Sequence, residues 1–448
     1  MKSTFLWGVC AASIFLAGAA QAKKAWEKID VPPGQYHVTV GNEEKLISPS
    51  CALGEPYSFH FKPGNRKKLV VYFNGGGSCW NSSSCVVSLQ SLQPAYVPST
   101  AIQNDPTEMG GMLDENNSEN PYANWSMLFI SYCTGDLHLG SADTVYTNPI
   151  SPSPLPNPVT IHHRGFDNFL YTINWLRDNH PEINPGKLLV AGSSAGSYGS
   201  TLNYPVLKSY YPDAKTYGFG DGGMGVFGVG QYIGQDGNVD FRDASNFATA
   251  VFGADSPEHP NWNVWNIHEN LHPIFASLSS AVLAAHPNYE ESFLPEVYNR
   301  LSAEYPRDKF AQYTTAYDAV QILFWDIMLN PDNPAVWGLG LPSLIGQWNF
   351  EMNTITGGLR ASLPKNYRSY IGPGCNHTIL HDDDDFYTSS LTSSKGKAIP
   401  FLKWLKAMTE GNNNNWKDLS CTPGIDCGEA TLATDIPDCL SRTFNPQP

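Results

Sequence analysis

Short apolar runs that end in glycine or polar residues recur along this chain, and stretches with helical spacing lie between them. Lys68 to Phe73, Met127 to Cys133, Lys187 to Ala191 and Arg368 to Ile371 are rich in β-branched and aromatic residues and have the length of buried strands. Between the second and third runs, Phe166, Phe169, Leu170, Ile173 and Leu176 recur at helical spacing and stop at His180-Pro181. That pattern predicts an amphipathic helix whose apolar stripe covers a sheet. Near the end, Pro400 opens a helix in which Phe401, Leu402, Leu405 and Met408 share a face, and Gly411 closes it. Strands alternating with helices predict an α/β fold, a mostly parallel sheet flanked by helices. The Pro-, Asn- and Gly-rich stretches Pro94 to Tyr122, Asn148 to Pro158 and Gly228 to Asn263 read as long loop insertions on that core.

The first 22 residues have a different character. Lys2 precedes a mostly apolar run from Phe5 to Ala17, and Ala20-Gln21-Ala22 has the small residues of a cleavage site. We read residues 1–22 as a cleavable signal peptide, too short to span a bilayer, and 23–448 as one α/β-hydrolase-like domain in a secreted or periplasmic protein. Of the nine cysteines, Cys10 leaves with that segment. Eight remain: Cys51, Cys79, Cys85, Cys133, Cys375, Cys421, Cys427 and Cys439. An even set in an exported chain predicts disulfides, and no Cys-x-x-Cys pair favours zinc. We expect Cys79 to pair with Cys85, and Cys51 with Cys133. The balance of 27 basic against 42 acidic residues leaves a formal charge of −15. That argues against nucleic acid or an anionic membrane as the main partner. Asn81, Asn116, Asn124 and Asn376 fit the N-glycosylation tripeptide.

The sharpest chemical signal is Gly192-Ser193-Ser194-Ala195-Gly196, which follows the apolar Leu188 to Ala191 and precedes a helix-like segment. Small residues at 192 and 196 allow a sharp strand-to-helix turn that holds the Ser194 hydroxyl clear of the sheet, as a nucleophile elbow requires. A second feature, Asn74-Gly75-Gly76-Gly77-Ser78, directly follows the strand-like Val70 to Phe73. Amides in such a turn can face a developing oxyanion together with that of Ala195, and glycine lets a substrate approach the backbone. The ending and spacing of phosphate-binding loops are both missing.

If the order is serine, acid, histidine, the base must come late. His377 stands in the turn Gly372-Pro373-Gly374-Cys375-Asn376-His377, just beyond a strand. His381 opens the acidic run through Asp385 and reads as part of a solvated loop, although a histidine with four aspartates could attract a cation. Three acids are candidates. Asp221 follows Thr216 to Phe219, Asp326 falls in the apolar Ile322 to Leu329, and Asp318 follows Phe310 to Tyr317 and starts a helix-like segment. Position gives Asp318 a modest lead.

The segments VVYFNGGGSCWNSSSC (Val70 to Cys85), NWSMLFISYCTGDLHLG (Asn124 to Gly140), GSSAGSYG (Gly192 to Gly199), GDGG (Gly220 to Gly223), AYDAVQ (Ala316 to Gln321) and GCNHT (Gly374 to Thr378) occur in one order along the chain. That ordered set resembles the pectin acetylesterase family, which includes the Notum-like carboxylesterases. The resemblance implies Ser194, Asp318 and His377 as a triad, with Gly76, Gly77 and Ala195 as oxyanion donors. It also implies ester hydrolysis through an acyl-enzyme without metal or organic cofactor, and an acetylated polysaccharide such as pectin as substrate. A carboxylesterase acting on longer acyl esters or an extracellular polyester is the alternative. An inactive carbohydrate-binding protein is a third reading. Stable membrane insertion is not expected.

Overall fold

The structure, a computed structural model, describes residues 25–41, 43–91, 94–233, 238–253, 263–275, 289–411, 414–429 and 432–444. The expected signal segment, 1–22, lies outside these residues. Nine strands form one sheet: β1 (Glu27–Asp30), β2 (Ser58–Lys62), β3 (Asn65–Phe73), β4 (Trp125–Ile130), β5 (Lys187–Ser193), β6 (Lys215–Asp221), β7 (Lys309–Thr315), β8 (Tyr367–Gly372) and β9 (Leu419–Ser420). Their spatial order is β1-β2-β4-β3-β5-β6-β7-β8-β9. The β1–β2 and β2–β4 pairs are antiparallel, and the pairs from β4–β3 through β8–β9 are parallel. A parallel sheet is covered on both faces, so its inner strands carry continuous apolar runs. Accordingly Leu69 to Phe73 and all of β4 are buried.

Register decides which helix covers which face. Phe73 lies level with Gly192, whereas Phe219 lies level with Ala191 one residue earlier, so the two rings point to opposite faces. Helix α1 (Gly165–Asn179) packs Phe169 against Phe73, with ring centroids 5.3 Å apart. Four further helices matter for the site: α2 (Ala195–Leu202), α3 (Ala319–Leu329), α4 (Leu341–Ser362) and α5 (Phe401–Glu410). On the face opposite α1, α5 sets Phe401 and Trp404 6.1 and 6.2 Å from Phe219. Gly411 closes α5 in the left-handed conformation, at φ +79°. Leu402, expected on the apolar face, is only half-buried, because the helix is turned to present Trp404.

Differences from the sequence expectations have local causes. The second strand ends at Ile130 instead of Cys133, because the chain leaves the sheet to reach Cys51: Ala52 N–H donates to the Cys133 carbonyl at 2.9 Å beside a Cys51–Cys133 disulfide. The other bonds are Cys79–Cys85, Cys375–Cys439 and Cys421–Cys427, so all eight cysteines are joined. Cys51–Cys133 and Cys79–Cys85 are the two pairings named from the sequence. The stretch from Pro94 to Tyr122 docks beyond the end of β8, where Met112 N–H donates to the Leu380 carbonyl at 2.7 Å. The stretch from Gly228 to Asn263 contains a hairpin, Gly230–Ile233 with Val239–Arg242, and a helix, Ser245–Phe252, and lies partly outside the described residues. No helix among the described residues is long and apolar enough to cross a membrane.

Candidate active site

The turn from β5 into α2 is as tight as its small residues allow. A Cβ on Gly196 would lie 2.0 Å from the Phe73 carbonyl oxygen, and one on Gly192 would lie 2.1 Å from the Gly196 oxygen. Between them Ser194 adopts φ +57°, ψ −124°, a left-handed backbone that costs a non-glycine residue about 1–3 kcal/mol and persists only when its surroundings enforce it. They do so through the Ser194 N–H, which donates to the Asp221 carbonyl at 2.7 Å.

His377 and Asp318 meet because β7 and β8 are neighbours. The loops that leave them are laced together on both sides of Asp318. Tyr317 N–H donates to the Gly374 carbonyl and Ala319 N–H to the Cys375 carbonyl, each at 3.1 Å. Asp318 has no solvent exposure and caps α3, accepting from the N–H groups of Val320 at 3.2 Å and Gln321 at 3.0 Å. Both of its oxygens lie 2.9 Å from His377 Nδ1, which therefore carries the proton it donates. The other ring nitrogen, Nε2, is buried with no hydrogen-bond partner among the described residues. It belongs to a side chain that lines the same cavity as Ser194. An imidazole held in this tautomer presents a lone pair to a hydroxyl.

Gly77 and Ala195 also line that cavity, whereas Gly76 does not. Gly76 and Gly77 have φ +146° and +76°, and the bridge between Gly77 and Tyr96 uses the Gly76 carbonyl and Ser78 N–H. The Gly77 amide takes no part in that bridge. Of the three glycines in this turn, Gly75 is the one packed on the proposed nucleophile, since a Cβ there would lie 2.7 Å from the Ser194 Cβ.

Several residues of the site escaped the sequence reading. Gln321 donates through Nε2 to Asp318 Oδ2 at 2.8 Å and accepts from Met224 N–H at 2.7 Å, which ties the acid to the turn after β6. His138 is buried and donates through Nε2 to the Asn74 carbonyl at 2.8 Å, holding the glycine turn from behind. Burial pushes its pKa down to about 4, so the ring is neutral. Leu137 and His138 both have positive φ, +56° and +63°. Asp136 holds this segment by accepting from Thr134 Oγ1 and Gly165 N–H, each at 2.7 Å. The pair of non-glycine left-handed residues gave no local signal in the sequence.

The cavity wall is mostly apolar: Trp80, Phe227, Phe247, Phe324 and Met328, with Leu137, Val226 and Val320. These come from separate segments that only the fold assembles.

The remaining candidates lie elsewhere. Asp326 is buried and accepts from the Tyr232 hydroxyl at 2.5 Å and Gly338 N–H at 2.7 Å. His381 is half-buried and sits 3.2 Å from Thr378 Oγ1, while Asp383 to Asp385 begin a short helix, so the expected solvated loop is partly ordered packing. Asn376, one of the glycosylation tripeptides, is half-buried and donates to Asp385 at 3.0 Å. Cys79, Cys85 and His163 are the one group of potential metal ligands that converge among the described residues. The two sulfurs form a disulfide, and both His163 nitrogens have partners in the Thr134 carbonyl and the Tyr146 hydroxyl.

The pectinacetylesterase family model matches residues 35–236. Over those residues the chain is similar to the pectinacetylesterase family. The palmitoleoyl-protein carboxylesterase NOTUM of Drosophila melanogaster is 22% identical over 355 residues, covering 75% of this chain and 44% of its own length. This chain thus spans less than half of that relative. Two solved structures of the Wnt deacylase Notum from Drosophila share the fold at 18% identity. Crystal form II has a TM-score of 0.52 and covers 87% of this chain and 96% of its own; crystal form I has 0.50, covering 88% and 97%.

Proposed function

We propose that this chain is an exported serine carboxylesterase whose acyl group is longer than acetyl. Ser194 is the nucleophile, His377 Nε2 takes its proton, and Asp318 holds the imidazole in the required tautomer and balances the imidazolium. The amides of Gly77 and Ala195, supported by Gly76, receive the oxyanion. Water then releases the acid by the reverse proton path. The observation that carries the acyl assignment is the cavity at Ser194 and His377, whose wall is built from aromatic and aliphatic side chains. Each methylene buried against such a wall contributes about 0.8 kcal/mol, so a longer chain gains what acetate cannot. The palmitoleoyl substrate class in the name of the Drosophila relative points the same way. Four disulfides support export.

Deacetylation of a polysaccharide such as pectin is the second reading, favoured by the family match over residues 35–236. A series of p-nitrophenyl esters from acetate to palmitate, run beside acetylated pectin, separates the two. The first reading expects kcat/KM to rise with chain length beyond acetate, and Phe324→Ala to reduce it more for octanoate than for acetate. Release of acetate alone would establish the second. Ser194→Ala should lower turnover about a thousandfold or more in either case.

A further inference from the structure

One buried carboxylate lies between the proposed nucleophile and base without a part in the chemistry above. Asp221 ends β6 level with Ser193 on β5 and has no solvent exposure. Its Oδ2 accepts from the Ser193 hydroxyl at 2.6 Å and from Leu380 N–H at 3.0 Å. Ile379 N–H reaches both oxygens, at 3.1 and 3.0 Å. Ser193 has one hydroxyl hydrogen and gives it to Asp221, so it accepts from the Tyr72 hydroxyl at 2.7 Å. The main-chain carbonyl of Asp221 accepts the Ser194 N–H at 2.7 Å.

Asp221 therefore touches the chain immediately before Ser194, at Ser194 itself, and two and three residues after His377. The turn that follows passes directly beneath the imidazole: Gly222 has φ +67°, and a Cβ there would lie 3.0 Å from His377 Cε1. A residue that merely closed a turn on β6 would need no bonds to the segments that carry Ser194 and His377.

We propose that Asp221 is a positioning residue for ester hydrolysis, setting the placement of His377 relative to Ser194 by bonding the chain on either side of the pair. The inference rests on the esterase reading above. Its electrostatics are consistent. Burial pushes the Asp221 carboxyl up to about 6, opposed by the Ser193 hydroxyl, the Ile379 and Leu380 amides and the nearby His377. At neutral pH the carboxylate is charged and can accept from all its donors, whereas a protonated or amide side chain must turn a donor toward them.

The test is Asp221→Asn, measured with the best p-nitrophenyl ester and by proton NMR of the His377 Nδ1–H, whose resonance reports the bond to Asp318. A misplacement near 1 Å costs about a hundredfold in rate. We expect kcat to fall about that much, KM to stay within about twofold on the same argument, and the Nδ1–H resonance to move although Asp318 is intact. Wild-type kcat in the folded variant, a change confined to KM, or a lowered kcat with an unmoved resonance would each overturn the role. If Asp221→Asn does not fold, Ser193→Ala removes one donor and carries the same test: kcat should fall severalfold at constant KM, and an unchanged kcat overturns the proposal. Wild-type protein that cleaves no ester and takes up no fluorophosphonate would defeat the esterase reading instead. The positioning role fails by itself when the wild type is active and the variants match it.

Discussion

Replacing Asp318 by asparagine tests the weakest inference from the sequence, and the structure predicts its outcome atom by atom. Oδ1 faces the N–H groups of Val320 and Gln321, while Oδ2 faces Gln321 Nε2 at 2.8 Å. Two backbone donors require an acceptor, so the amide oxygen of asparagine takes the Oδ1 position and its NH2 falls at Oδ2. That NH2 then competes with the amide oxygen, each 2.9 Å from His377 Nδ1, and favours the tautomer with the proton on Nε2. The imidazole would present a hydrogen to Ser194 where it should present a base. The loss of the base and of the buried countercharge should lower kcat by about ten-thousandfold, equivalent to about 5.5 kcal/mol of transition-state stabilisation. Binding of a non-hydrolysed ester analogue should change little, because the cavity wall is untouched. The assay is kcat/KM on a p-nitrophenyl ester, with fluorophosphonate labelling of Ser194 as a second readout. Activity within tenfold of wild type in folded Asp318→Asn would refute the reasoning. Retention there with loss in Asp221→Asn would move the acid to β6.

Gly196→Ala forces a Cβ to within 2.0 Å of the Phe73 carbonyl, against the main chain of Phe73 and Asn74, so it should lower the melting temperature and abolish labelling. Gly357→Ala on α4, with nothing within 4 Å, should raise the melting temperature slightly by helix propensity; equal effects at the two sites would contradict the packing argument. Burial holds His60 and His138 down to about 4 and His163 to about 3. The unfolded chain therefore binds more protons than the folded one below pH 6.5, and stability should fall as pH drops from 6.5 toward 4. Asp136 and Asp221, raised by burial to about 6, act oppositely between 6 and 3.8 and offset part of the loss. Denaturant midpoints across that range check the sign, and a rise in stability from 6.5 to 4 would overturn it. Cys375 and Cys439 close a loop with a sequence separation of 64 beside His377, so replacing both by serine should cost roughly 4 kcal/mol and lower kcat; unchanged melting and turnover would show that the loop holds without the bond.

The elbow at Ser194 was legible because its demand is local: Gly192 and Gly196 must be small for a strand to turn into a helix, whatever surrounds them. The stripe of α1 and the left-handed stop at Gly411 were legible for the same reason, since helical spacing and positive φ are written in neighbouring residues. The choice among Asp221, Asp318 and Asp326 was not local. Asp221 and Asp318 follow strands and Asp326 lies in an apolar run, and only the pairing of β7 with β8 brings Asp318, and no other candidate, to His377 Nδ1. Asp221, at the end of β6, instead accepts from the Ile379 and Leu380 amides, and Asp326 on α3 accepts from Tyr232. The cavity at Ser194 was likewise decided by tertiary structure, because Trp80, Phe247 and Phe324 each look like ordinary core residues in their own segments. Sequence by itself determined four central strands of the sheet and the tight turn at Ser194, from which its proposed role as nucleophile follows. The partner of the histidine and the shape of the pocket depend on which strand ends become neighbours, a long-range property that no window of sequence contains.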